Sequence, residues 1–191
     1  NLNKYSKIYF LDDKVNIDKE VLGSKVLNKI DFTYIKSIKK EDNEFFVGIG
    51  DCKKRKEIQE RLKNDNVNIA TLIDPFTSIS KYSEIGLGSL ICPGVIVGPD
   101  SFIGEGAIIN NSSTIDHDCI VGNYVHICPH SSIAGGVQFG NLSVLGTGAR
   151  VIQGKKIGNN CLVGAGAVVT IDIKNNKKAI GIPAKLTDIN L

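Results

Sequence analysis

The 191-residue chain has no methionine and opens at Asn1, so residues of the natural protein are expected to precede it. No apolar run approaches the ~18 residues that span a bilayer, and no charged-then-apolar leader opens the chain, which reads as soluble and unexported. Cysteine is sparse. The five (Cys52, Cys92, Cys119, Cys128, Cys161) are odd in number and scattered, with no CxxC pair. That indicates neither a disulfide framework nor a zinc knuckle, and a reducing cytoplasm is the simplest home. Charge of one sign is also lacking: 23 basic against 20 acidic residues leave +3, too balanced for a nucleic-acid binder and better suited to a small anionic ligand. The length permits one large or two small domains.

What the chain does have is a repeat. Stepping by six from Ile73 meets Ile79, Ile85, Ile91, Val97, Ile103, Ile109, Ile115, Val121, Ile127, Ile133, Phe139, Leu145, Val151, Ile157, Val163 and Val169, seventeen apolar residues without an insertion. Glycine follows in eight of these units, as at Gly86, Gly98 and Gly104, and the fifth place is usually small, as at Ser101, Ala107 and Cys119. A period of six fits neither a helix nor a free amphipathic strand, but it suits short strands joined by tight turns. Three units close a coil, and stacked coils pair their strands in parallel while each unit buries one aliphatic side chain. Glycine is expected to serve the corners, where the chain must turn through conformations other residues avoid.

This pattern resembles the hexapeptide-repeat transferases. The resemblance implies a left-handed parallel β-helix that assembles as a homotrimer with active sites between subunits. The hand comes from the resemblance, since general topology favours right-handed crossovers.

Residues 1–72 differ in texture. Strand-like segments at 7–11, 44–49 and 68–72 surround a charged helical stretch at 53–63, which reads as a small, partial Rossmann-like α/β unit. Gly48 to Asp51 lie between strand and helix, where backbone amides and the helix N-terminus suit a phosphate, with Lys53, Lys54 and Arg55 adding charge; a plain turn before a solvated helix is an equal alternative. Asp12 and Asp13 follow an apolar strand, as ligands for ribose or base or as a polar turn. Charge sums to +3 over 1–72, −3 over 73–173 and +3 over the tail 174–191, where Lys174, Lys177, Lys178 and Lys185 cluster. A phosphate-rich molecule along the prism would be drawn toward that tail.

Only three histidines exist, at 117, 126 and 130. Acyl transfer from a thioester needs a base of near-neutral pKa, and Asn110, His117 and Asp118 supply a plausible set. With a coil of eighteen residues, His117 stacks between Pro99 and Gly135, leaving room above it for a thioester arm. His126 is the polar member of the column Leu90, Ile108, His126, Val144, Leu162, so it meets a ligand, a neighbouring subunit or an internal partner. His130 follows Pro129 at a corner and reads as a surface residue. A zinc site shared by the three histidines fits poorly, because their spacings of nine and four do not share a column. No metal is expected. Cys119 and Cys128 are candidate nucleophiles, although packing explains small residues at such places.

The run from Asn110 to Gly140, with the Tyr9 to Asp13 segment, the glycines before Asp51, Arg55, and the closing Gly181 to Lys185, resembles the bacterial sugar acetyltransferases. That family includes sialic-acid O-acetyltransferases and nucleotide-4-amino-sugar N-acetyltransferases. The resemblance implies acetyl-CoA as donor, His117 as general base, Asp118 as its acidic neighbour, and Asn110 as a polar contact of that histidine. It further implies that His126, Ala134, Gly135, Gly164, Ile182, Pro183 and Lys185 line the coenzyme A groove, and that Asp12, Asp13 and Gly50 hold the acceptor's nucleotide. Asp118 is often glutamate in relatives. The family's Gly-rich, histidine-containing first loop has no counterpart here, consistent with a chain that starts late. The expected reaction is N-acetylation of a nucleotide-linked amino sugar by direct attack on the thioester. The alternatives are O-acetylation of sialic acid or another small hydroxyl acceptor, and a binding protein without turnover.

Overall fold

The computed structural model describes residues 4–188, and its larger part is a left-handed parallel β-helix. Each of the seventeen hexapeptide units forms one two-residue strand, from Leu72–Ile73 to Val168–Val169, whose second residue is the apolar residue of the repeat. The strands build three parallel faces, and residues eighteen apart pair directly, as in Ile108↔His126 and His126↔Val144. The first face carries the strands ending at Ile73, Ile91, Ile109, Ile127, Leu145 and Val163; the second, those ending at Ile79, Val97, Ile115, Ile133, Val151 and Val169; the third, those ending at Ile85, Ile103, Val121, Phe139 and Ile157. From Ile91 to Val169 the stacked side chains are almost completely buried. Each contributes about 1.5–3 kcal/mol of transfer free energy against the entropy of ordering its corner.

The small residues have a second task. Ser89, Ser101, Ser131 and Ser143 are buried, and each hydroxyl donates to a backbone carbonyl fifteen residues on, as from Ser101 to Asp116 O at 2.6 Å. Cys119 repeats this with a thiol, donating to Ala134 O at 3.3 Å, and Cys161 donates to Lys174 O, thirteen residues on, at 3.1 Å.

The expectation for the glycines needs correcting. From the corner after Ile85 to the corner after Val163, the third residue after the apolar one is left-handed, and it is often not glycine: Asp100, Ser112, Asp118, Tyr124, His130, Leu142 and Asn160 all have φ between 53° and 59°. The glycine immediately after the apolar residue has ordinary φ and is there for close approach. A Cβ on Gly140 would stand 2.5 Å from the carbonyl carbon of Gly158 in the next coil, and one on Gly98 would stand 2.7 Å from the amide nitrogen of His117.

The N-terminal unit pairs β1 (Phe10–Leu11) in parallel with β3 (Ser24–Asn28), which also pairs antiparallel with β2 (Glu20–Val21). Helix α1 (Phe32–Ile38), absent from the sequence reading, is capped by Asp31, whose carboxylate accepts from Thr33 N. Residues 44–49 form a single bridge, Phe45↔Ile69, rather than a strand. Helix α2 (Cys52–Asn64) buries Ile58 and Leu62 against Ile35, Val47 and Val67. Its buried polar side chains, Arg55 and Gln59, meet the prism: Gln59 Nε2 donates to Leu87 O at 3.1 Å, Tyr124 donates its hydroxyl to Glu60 at 2.5 Å, and Lys63 pairs with Glu105 at 2.6 Å. The tail folds back as an antiparallel hairpin, Lys177–Ile180 with Lys185–Asp188, which caps the first face.

Candidate active site

His117 occupies the corner between the second and third faces, two residues after the strand Thr114–Ile115. Its backbone N–H donates to Asp116 Oδ1 at 2.8 Å, and its carbonyl accepts from Gly136 N at 2.9 Å. Asp118, left-handed at φ 57°, turns its carboxylate back so that Oδ2 stands 2.7 Å from His117 Nδ1. Both side chains are more than half exposed. The hydrogen bond to Asp118, then the charge of Asp116, raise the imidazole above its ordinary pKa. With Nδ1 donating to the carboxylate, Nε2 is left to accept a proton.

The room expected above His117 is filled by its own ring. A Cβ on Gly135 would lie 2.6 Å from both Cε1 and Nε2, so the glycine is a seat for the imidazole rather than a gap for a thioester arm.

Asn110 also differs from expectation. Within the chain it meets His126, its Nδ2 lying 3.3 Å from Nε2, while its Oδ1 accepts from Asn111 N at 2.8 Å. The reason is geometric. Asn110 directly follows the first-face strand Ile108–Ile109 and His126 begins the paired strand of the next coil, whereas His117 belongs to a different corner. His126 is half-buried, and a Cβ on Gly50 would be 3.9 Å from its Cε1, so the ring lies where the N-terminal unit rests on the prism. Burial, then the charge of Arg55, lower its pKa, partly opposed by the backbone of Gly50.

The remaining positions fall into two groups. Ala134 and Gly135 lie at the corner where the second face ends, while Gly164 lies at the corner where it begins, beside the hairpin turn that carries Ile182 and Pro183 and leads into exposed Lys185, the first residue of the hairpin's second strand. The turn is tied to the second face by Val168 N donating to Gly181 O and Ala184 N donating to Val168 O. Asp12 and Asp13 close loops: Asp12 Oδ1 accepts from Lys14 N at 2.7 Å, and Asp13 accepts from Ile30 N at 3.0 Å and lies 3.6 Å from Lys54 Nζ. Arg55, read as a phosphate partner beside Gly50, is instead fully buried and bound to five backbone carbonyls. The N-terminus of α2 is taken by Asp51, which accepts from Lys54 N at 2.8 Å.

An open furrow of about 690 Å³ follows the third face and the corner beyond it, past Ile120, Gln138, Lys156 and Lys174, and His117 is not part of its lining. Burial pushes the thiols of Cys119 and Cys128 up, away from thiolate character. Among the described residues no group of three or more histidine, cysteine, aspartate or glutamate side chains is placed to hold a metal ion, and no helix is long and apolar enough to cross a membrane.

Residues 1–62 match the family model of the PglD N-terminal domain, and residues 100–135 match that of the bacterial transferase hexapeptide repeat. The acetyltransferase domain of PglB from Neisseria gonorrhoeae, also known in complex with acetyl coenzyme A, superimposes with a TM-score of 0.90 at 31% identity, over 97% of this chain and 89% of that one. The chain belongs to the hexapeptide-repeat sugar acetyltransferases. PerB from Caulobacter crescentus, in complex with CoA and GDP-perosamine, is 36% identical over 87% of this acetyltransferase and 80% of its own chain, with a TM-score of 0.81. WeeI from Acinetobacter baumannii is 28% identical over 94% and 85%, with a TM-score of 0.86. A comparison with curated protein sequences finds no match. Two features of this acetyltransferase escaped the sequence reading: Asp116 as the second carboxylate at His117, and Arg55 as an internal clamp. The first was visible as acidic residues on both sides of a histidine. The second had no sequence signal, because a buried arginine and a solvated one look alike on a basic helix.

Proposed function

We propose that this protein transfers the acetyl group of acetyl-CoA to the amine of a nucleotide-linked amino sugar, with His117 as general base. The observation that carries the reading is the His117–Asp118 pair: Nδ1 is fixed at 2.7 Å from a carboxylate and the ring is more than half exposed at the corner between the second and third faces. The neutral amine attacks the thioester carbon as Nε2 takes its proton. Collapse of the tetrahedral adduct expels the CoA thiolate, which receives a proton from the imidazolium. No covalent enzyme intermediate is required, in keeping with the raised pKa of Cys119 and Cys128.

The donor fits the second and third faces near His117. Ala134, Gly135, Gly164, Ile182, Pro183 and Lys185 bracket the second face, and the tail lysines offer charge to phosphates. The acceptor enters from the N-terminal unit, past Asp12, Asp13 and Gly50; His126, which the resemblance placed in the coenzyme A groove, stands on the first face against Gly50, so the Asn110–His126 pair is assigned here to the acceptor side. A nucleotide-linked amino sugar is the acceptor class supported by PerB's complex with GDP-perosamine. Ile96, Phe102 and Ile120 are exposed by 42–51% on the two faces that meet at the His117 corner, which suits a homotrimer whose sites lie between prisms.

The test is thiol release from acetyl-CoA against UDP-, GDP- and dTDP-linked 4-amino sugars and sialic acid, with His117→Ala in parallel. Release with one amino sugar, lost by about 10²–10⁴-fold in the variant, is expected. Release with sialic acid alone, giving an alkali-labile product, would move the reading to O-acetylation. Equal rates in variant and wild type would remove His117 as the base.

A further inference from the structure

Among the described residues Arg55 is the largest fully buried side chain, and no carboxylate takes part in its hydrogen bonds. Its Nη1 donates to Ile49 O at 2.7 Å and Gly50 O at 2.9 Å. Its Nη2 donates to Tyr124 O at 3.0 Å and Val125 O at 3.1 Å, and Nε donates to Gly106 O at 2.7 Å. The first pair forms the loop that ends at Asp51. The second pair immediately precedes His126, and Gly106 lies at the corner one coil below.

A buried guanidinium without a carboxylate is an expensive way to hold a helix on a prism. Helix α2 has other links for that purpose, through Gln59, Glu60 and Lys63. What Arg55 alone does is join the two backbone segments that flank the contact between Gly50 and His126. The planar fork with fixed donor directions sets their spacing in a way a lysine cannot.

We propose that Arg55 is a positioning residue for acetyl transfer, clamping the Ile49–Gly50 loop to the backbone before His126 and so fixing the acceptor side of the site against the Asn110–His126 pair. This rests on the reading of Gly50 as part of the acceptor site. A residue that merely stabilises the fold would affect both substrates together. A positioning residue acts on the acceptor and leaves the donor alone, because none of the proposed donor positions at the second face is among the hydrogen-bond partners of Arg55.

The experiment uses the full chain carrying Arg55→Lys, with Arg55→Met as the charge-free partner. Acetyl-CoA affinity by calorimetry is expected to stay within about twofold of wild type, while KM for whichever UDP-, GDP- or dTDP-linked 4-amino sugar the wild type accepts rises about tenfold or more. NMR of the histidine Cε1–H signals is expected to show His126 displaced in both variants and His117 in place. In Arg55→Met the His126 midpoint rises, since a nearby positive charge has been removed. Parallel loss of acetyl-CoA affinity would reduce Arg55 to a fold-stabilising residue. An unchanged acceptor KM with unmoved His126 signals would overturn the proposal outright. If the wild type accepts no amino sugar, the functional reading falls, and the His126 signals, which need no acceptor, still decide the role of Arg55.

Discussion

The imidazole of His117 rests on Gly135, one coil above it, so closely that a Cβ there would lie 2.6 Å from Nε2. Gly135 lies outside the left-handed region, so alanine is compatible with its backbone, and the atoms in the way belong to a side chain that can rotate. Gly135→Ala is therefore expected to fold normally, with its Tm within a few degrees of wild type, and to lose activity because the ring leaves its seat. Displacing a catalytic group by about 1 Å commonly costs on the order of 10²-fold. Steady-state kcat beside a thermal melt checks this, and full activity in Gly135→Ala would show that the ring's resting place is unrelated to turnover.

The two carboxylates at His117 predict different pH profiles. Both raise the imidazole pKa, Asp118 more than Asp116. A base acts when deprotonated, so a raised pKa moves the acid limb of kcat/KM to higher pH. Asp116→Asn is expected to shift that limb toward lower pH while kcat on the plateau changes little. Asp118→Asn shifts it further and also lowers the plateau about tenfold or more, because Nδ1 loses the acceptor that orients the ring. A pH–rate series on the two variants separates these effects, and identical profiles would remove Asp118 from its orienting role.

The prism was legible because one physical requirement, a buried aliphatic per strand, recurs at every sixth residue from Ile73 to Val169. The eighteen-residue register followed from it, so the columns through His117 and His126 could be read in advance. Side-chain direction was not legible. Asn110 and His117 are seven residues apart yet point from different corners, and only the register of Ile108 with His126 shows which histidine the amide reaches. The N-terminal unit was read least well, since α1 and the β2–β3 hairpin are short, lack periodicity and owe their form to caps such as Asp31.

Two glycines of the repeat, Gly140 and Gly154, carry opposite expectations. At Gly140 the obstacle to a Cβ is the backbone of Gly158 and Asn159, 2.5–2.7 Å away, which cannot move without parting two coils. Gly140→Ala should cost roughly 2–4 kcal/mol, at the upper end of what overpacking does. At Gly154 the residue is left-handed at φ 68° with nothing within 4 Å of a Cβ, and asparagine tolerates that conformation elsewhere in the prism, at Asn160. Gly154→Asn should change stability by less than about 1 kcal/mol. Urea melts of the two variants check the distinction, and equal losses would contradict it.

His126 gives the protein a pH-dependent stability whose sign is fixed by burial. Its folded-state pKa is lowered from 6.5, first by desolvation and then by Arg55. The native state therefore binds fewer protons than the unfolded state as pH falls through 6.5, and stability is lost below that value until the folded pKa is passed. His117, raised and exposed, has the opposite sign: any stability it contributes is present at low pH and fades as pH rises through its folded pKa. The two are separable by substitution. His126→Gln keeps a polar partner for Asn110 and removes the titration, so the decline in Tm between pH 7 and about 5 should flatten, while His117→Gln should leave that decline in place. An unaltered decline in His126→Gln would assign the acid sensitivity to another group and show that the half-buried ring is not held neutral by its surroundings.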